Sequence, residues 1–134
     1  MAVELDPNIK QDPPNLGNEA EVVICLTGAA STGANKAAWY AQRNYTIIRV
    51  SVYSTTAPVG ASLIVDCNIN GTTIFTTQSR RPQVAAGENS DDSDTPNVVT
   101  ISVGDRISFD EDQVGSTTAG GDPLMITLVL RKRG

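Results

Sequence analysis

The residues of this chain with the most chemistry in them are carboxylates: the run Asp110-Glu111-Asp112, and Asp66 in a separate apolar segment. Two carboxyl groups flanking a sugar bond are the working parts of a glycoside hydrolase. Side chains two apart on a strand share a face, so Asp110 and Asp112 project together while Glu111 opposes them. A solvated strand end accounts for the same run, and so does a weak cation site. Asp91-Asp92-Ser93-Asp94 offers oxygens of the kind calcium takes. Its spacing is not that of an EF-hand loop, and a hydrated loop explains it. No metal or cofactor is expected.

Other catalytic arrangements have less to build on. The chain contains no histidine, which removes Ser-His-Asp chemistry and the usual acid–base group near neutral pH. A Ser-Lys pair is open only at Lys36, with Ser31 nearby, because Lys10 and Lys132 lie near the ends. The stretch from Ala29 to Asn35 reads as a flexible loop, a poor scaffold for that pair. The glycine-rich run from Gly115 to Gly121 lacks the Gly-Lys-Ser/Thr ending of a phosphate loop. Cys25 and Cys67 sit in separate apolar patterns with no CxxC spacing, and each reads as a small buried hydrophobe. A disulfide between them depends on a Cα separation that sequence leaves open. The expectation is a protein that is not an enzyme and has no small-molecule substrate.

Charge and hydropathy narrow the partners. With 15 acidic and 10 basic residues the formal net charge is -5, the wrong sign for non-specific nucleic-acid binding. Arg131-Lys132-Arg133 is a local exception, explained by a solvated tail or a salt bridge to a partner. No apolar run approaches the roughly 20 residues of a membrane helix. Met1 to Asp6 has neither the basic start nor the apolar stretch of a secretory signal. Synthesis in a cytoplasm, with no membrane partner, is the expectation.

The elements that would position these residues are strands. A chain of 134 residues suggests one domain with one core. Residues 1–18, with Pro7, Pro13 and Pro14, read as an arm, and residues 19–134 as the folded domain. Leu5, Ile9 and Leu16 are too few to bury the arm by themselves. It is either a disordered leader or an extended segment that orders on a partner. Val22 to Leu26 is a short apolar run. Lys36 to Gln42 is strand or helical turn. From Tyr45 to Ser54, Ile48, Val50 and Val52 alternate with Arg49, Ser51 and Tyr53. Ser62–Ile69 and Thr72–Thr77 flank Asn70-Gly71, which suits a type I′ hairpin. That turn pairs Ile69 with Thr72, Cys67 with Ile74 and Val65 with Thr76. Leu63, Val65, Cys67, Ile69 and Ile74 then share one face, with Asp66, Asn68 and Phe75 on the other. Ser79 to Pro96 reads as loop, Val98 to Val103 and Arg106 to Asp112 as strands, and Val114 to Gly121 as loop. The final strand turns Leu124, Ile126, Leu128 and Leu130 inward and Met125, Thr127 and Val129 outward.

Seven or eight short alternating strands predict two packed antiparallel sheets, an all-β sandwich. Alternation alone leaves immunoglobulin-like and jelly-roll orders both open. Tyr53, Phe75, Met125 and Val129 fall on faces that water would wet in an isolated sandwich. With Leu5, Ile9 and Leu16 of the arm, they are the candidate partner interface.

Two segments carry a resemblance. APVGASLIVDCNINGTTIF, from Ala57 to Phe75, and FDEDQVGSTTAGGDPLMITL, from Phe109 to Leu128, are similar to segments of β-rich structural proteins of tailed bacteriophages. These include small capsid-associated proteins and modules of tail-fibre or receptor-binding proteins. With the chain between them, the likeness spans about residues 20–130. It implies a jelly-roll or related β-sandwich, commonly a homotrimer, working as a virion component. Pro58, Gly60, Asn70, Gly71, Asp110, Asp112, Gln113, Gly115 and Gly120 carry over as scaffold. Glu111 stands where the similar segments often have isoleucine, and Cys67 between Asp66 and Asn68 is a second departure. The small size and the arm suit a capsid cement or decoration protein, made in the host cytoplasm and seated on the major capsid protein at the capsid surface. The alternatives are a tail protein recognising a host glycan or protein through its polar loops, and a carbohydrate-active enzyme using Asp110 and Asp112.

Overall fold

The structure, a computed structural model, describes residues 18–134. The expected arm up to residue 17, and with it Leu5, Ile9 and Leu16, lies outside the described residues. Ten strands follow: β1 Glu19–Leu26, β2 Gly33–Tyr40, β3 Tyr45–Thr56, β4 Leu63–Ile69, β5 Thr72–Thr73, β6 Gln83–Val84, β7 Ser90–Asp92, β8 Thr100–Ile101, β9 Arg106–Gln113 and β10 Gly121–Lys132. One sheet runs β1-β10-β3-β7 with β8 also on β3, and the other β2-β9-β4-β5 with β6 also on β4. All pairs are antiparallel. The long strands β1 to β4 alternate between the sheets, and β9 and β10 return to the centres of the two. This is the winding of a jelly roll, the all-β sandwich the sequence predicts.

The core lies between the two inner faces, where period-two geometry collects the apolar side chains. Leu124, Ile126, Leu128 and Leu130 of β10 are buried against Leu63, Val65 and Cys67 of β4 and Ile107 and Phe109 of β9. The alternation read from the sequence of β10 and β9 is the alternation of the fold. In β3 it is interrupted. Val129 pairs with Arg49 but Leu130 pairs with Ile47, so Ile48 is the extra residue of a bulge. Ile47, and not Ile48 as the sequence suggests, therefore enters the core; it is buried and Ile48 only half-buried. Lys36 to Gln42, ambiguous in sequence, is mostly strand β2.

The hairpin forms at Asn70-Gly71, with φ of 51° and 88°, and pairs Ile69 with Thr72. Its return strand ends after Thr73. Ile74 still donates its N–H to the Cys67 carbonyl, and then the chain leaves the sheet. The expected pairing of Val65 with Thr76 does not occur; the Val65 N–H goes instead to the Pro82 carbonyl at 3.2 Å. Once pairing stops, strand parity no longer sets direction. Phe75, expected outside, is fully buried in the core. The Ser79–Pro96 segment, expected as loop, contains a 3-10 turn at Gln78–Arg80, β6 and β7, and so adds an edge to each sheet. The Val98–Val103 strand shortens to β8.

The two segments that carry the resemblance interlock. β4 and β9 are paired neighbours at the centre of one sheet. Beyond them, Val59 exchanges backbone hydrogen bonds with Thr117 and Thr118 of the other segment, and Gly115 donates to Ala119.

Candidate functional site

The outer face of the β2-β9-β4 sheet is polar. Strand parity sets Asp110 and Asp112 on it together, as expected, and the register places Asp66 opposite Asp110. One oxygen from each of the three carboxylates lies within 4.8 Å of the others. Asp66 is buried, Asp110 half-buried and Asp112 exposed. Asp66 Oδ1 accepts from the Thr73 hydroxyl (2.6 Å) and the Cys67 N–H (2.8 Å). Asp110 accepts from the Asn35 N–H (2.9 Å) and the Asn68 amide (3.0 Å). Arg81 closes on Asp112 at 2.6 Å. Of the six carboxylate oxygens in the cluster, only Asp66 Oδ2 and Asp112 Oδ1 receive no donor from the described residues. That is a thin set for calcium, which takes six to eight oxygens. Asp91, by contrast, accepts the Gln83 N–H from within β7 and does not join a shared cluster.

Burial pushes the Asp66 carboxyl above its ordinary 3.8, against the hydrogen bonds from Thr73 and Cys67. The covering atoms come from the chain after the hairpin, where the Thr73 hydroxyl bonds Asp66 and also receives the Phe75 N–H. Sequence reasoning put Asp66 on this face but could not foresee that cover.

The second polar group lies at one end of the sandwich. Glu111 faces inward and is 3% exposed. Its charge is met by neighbours. Lys36 Nζ stands 3.8 Å from Oε2, and the Ser31 N–H donates to Oε1 at 3.2 Å. Lys36 also donates to the Ser31 hydroxyl at 2.7 Å. The Ser31–Lys36 pair is thus held by strand β2 and by the Ala30 N–H bond to Gly120, a firmer scaffold than the expected loop. Lys36 Nζ thus lies between the Ser31 hydroxyl and the Glu111 carboxylate. These residues line a cavity of about 240 Å³ with Cys25, Gly28, Ala30 and Leu124.

Burial also raises the Glu111 carboxyl above its ordinary 4.5, with Lys36 pulling the other way. A carboxyl raised on folding contributes stability that is complete below its unfolded value and is lost as pH rises through its folded value. Asp66 and Glu111 therefore give a declining stability from 3.8 and 4.5 upward. Asp105 has the opposite sign. The Ser102 N–H and the Asn70 amide hold it below 3.8, so its contribution is lost as pH falls. Urea midpoints measured from acid to neutral pH should decline less steeply in the Asp66→Asn, Glu111→Gln double variant than in the parent.

The outer face of the β1-β10-β3 sheet is different. Registers place Cys25, Met125 and Tyr53 in one row across the three strands, Val23, Thr127 and Ser51 in the next, and Glu21, Val129 and Arg49 in a third. Tyr53 is 47% exposed, Met125 36% and Val23 51%; Val129 is half-buried. Three of the expected interface residues, Tyr53, Met125 and Val129, thus lie together, and Phe75 is absent for the reason given above. Cys25, expected to be buried, is exposed and not disulfide-bonded, whereas Cys67 is buried in the other sheet. Val23 and Cys25 were missed because Val22–Leu26 reads as one apolar run. The signal was upstream: Glu19 and Glu21 fix an outward parity that Val23 and Cys25 continue.

Among the described residues no helix is long and apolar enough to cross a membrane. Comparison of the chain with known protein families, with curated proteins and with solved structures returns no match in any of the three.

Proposed function

We propose that this chain is a structural part of a tailed-bacteriophage virion, a cement or decoration protein that bridges neighbouring major capsid subunits. The observation that carries the reading is an exposed apolar patch across the edge strand β1 and the central strands β10 and β3, at Val23, Cys25, Met125 and Tyr53. Side chains grouped this way suit burial by another protein surface. Two further points support it. The segments that resemble phage structural proteins are interlocked parts of one sheet and one loop pair. The jelly roll is also a winding used by viral capsid and lectin domains, an analogy at the level of fold only. The homotrimer is the assembly that the resemblance implies. Many copies on a symmetric shell would let weak contacts act together.

The test compares particles assembled with and without this protein. Loss of heat or low-salt resistance, with host attachment intact, is the expected result. Location at tail tips alone, with lost attachment, would replace the cement reading by the receptor-binding one. Hydrolysis of a glycan that disappears in Asp110→Asn or Asp112→Asn would replace both.

A further inference from the structure

We infer that the outer face of the β1-β10-β3 sheet binds the same face of a second copy of this chain about a two-fold axis parallel to β10. The inference covers with a second copy the same patch that supports the capsid reading, and it rests on register and charge, so the two stand or fall by separate measurements.

The three rows are arranged about β10 as a centre line. Glu21 on β1 and Arg49 on β3 flank Val129 in the same row, one strand to either side. Both are exposed. A two-fold axis along β10, in the plane between two facing sheets, exchanges the two sides of the face. It places Glu21 of each copy against Arg49 of the other, twice over. It sets Met125 and Val129 against their own counterparts on the axis and Tyr53 against Cys25. Every contact appears in both directions, as an isologous interface requires. The other in-plane axis, running across the strands through the Val23 row, keeps β1 on β1. It buries Glu21 against Cys25 and Arg49 against Tyr53, leaving both charges unpaired, which is unfavourable. Charge therefore selects the first axis. Facing twisted sheets settle at about 30° to one another, which tilts the axis roughly 15° from β10 and makes the contact tightest near its centre. At the margin the same axis sets Arg131 against its own counterpart, each with Glu19 beside it on β1 to offset the charge.

The size of the face sets the strength. Three or four strands at about 4.8 Å by three or four rows at about 6.7 Å cover roughly 300–500 Å². A standard interface takes about 800 Å² from each partner. The pair is thus weak in free solution and favoured where copies are crowded together. A three-fold contact elsewhere on the surface is compatible with it, and trimers joined through this face would double to hexamers.

Sedimentation equilibrium of the full chain, from low micromolar to millimolar concentration, provides the test. The expected result is a doubling of mass with concentration, from one to two or from three to six. Glu21→Arg and Arg49→Glu should each weaken the doubling by about tenfold. The exchanged pair, E21R with R49E, should restore it, and Met125→Glu should abolish it. All these positions face solvent, and far-UV circular dichroism checks that each variant is folded. A mass that never doubles overturns the inference. So does an exchanged pair no better than its single parents, or a Met125→Glu variant that doubles like the parent.

Discussion

Replacing Phe109 by alanine should lower the unfolding free energy by about 3–5 kcal/mol, the range for a buried phenylalanine whose cavity cannot fully collapse. Phe109 is fully buried on β9, with Cys67 of β4 on one side and Ala37 of β2 on the other. Both flanking residues are small, so the ring fills space that its neighbours cannot reach. Ladder pairing on both sides of β9 also prevents the strand from moving in. A domain of this size has about 5–15 kcal/mol in total, so the loss amounts to roughly 10–20 °C in Tm. Urea unfolding should show a lower midpoint with an unchanged slope. Phe109→Leu, which keeps most of the volume, should cost about half as much. Tyr53→Ala on the outer face should stay within about 0.5 kcal/mol in the monomer. A Phe109→Ala loss below about 1 kcal/mol would mean that the inner faces are not packed as described.

Gly115→Ala should be comparably damaging for a different reason, costing about 3 kcal/mol, the upper end for forcing volume into packed structure. A Cβ at this position would overlap the Thr118 carbonyl and meet the Val59 N and O at 2.8 and 2.9 Å. All three are backbone atoms, and the same atoms hold the Val59–Thr118 contact between the two loops. Relief requires the loops to separate. Gly71 makes the contrast. Its φ is +88° but a Cβ there meets nothing within 4 Å, so Gly71→Ala should cost only about 1 kcal/mol of left-handed backbone strain. Thermal unfolding of the two variants side by side tests this. Equal losses would show that the loop contact contributes nothing beyond glycine's conformational freedom.

Gly115 also illustrates what a sequence reveals. Resemblance marked it as scaffold, while its reason, contact with a loop more than fifty residues away, is a tertiary fact. The same division runs through the fold. The inward set on β10 was legible because each residue keeps its parity along an uninterrupted ladder. Ile47 was not, because the bulge at Ile48 depends on what β10 presents across the strand. Phe75 was misplaced because alternation carries no information past the residue where pairing ends. The acidic face was half legible: Asp110 and Asp112 follow from spacing, whereas the burial of Asp66 and the ion pair of Glu111 with Lys36 come from segments distant in sequence. Strand order was not in the alternation at all, which left immunoglobulin-like and jelly-roll orders both open.

The pairing of β1 with β10 has a mechanical consequence. Glu19 lies opposite Arg131, and the Lys132 N–H reaches the Asn18 carbonyl at 2.6 Å. The first and last rungs of the sandwich are therefore the same rung. A pull applied at residues 18 and 132 would load one hydrogen bond at a time and peel the sheet open like a zip. A pull between the far end of β1 and residue 132 would instead shear eight rungs together. Tethered at both ends the domain should yield to small forces, and tethered across the strand it should resist them.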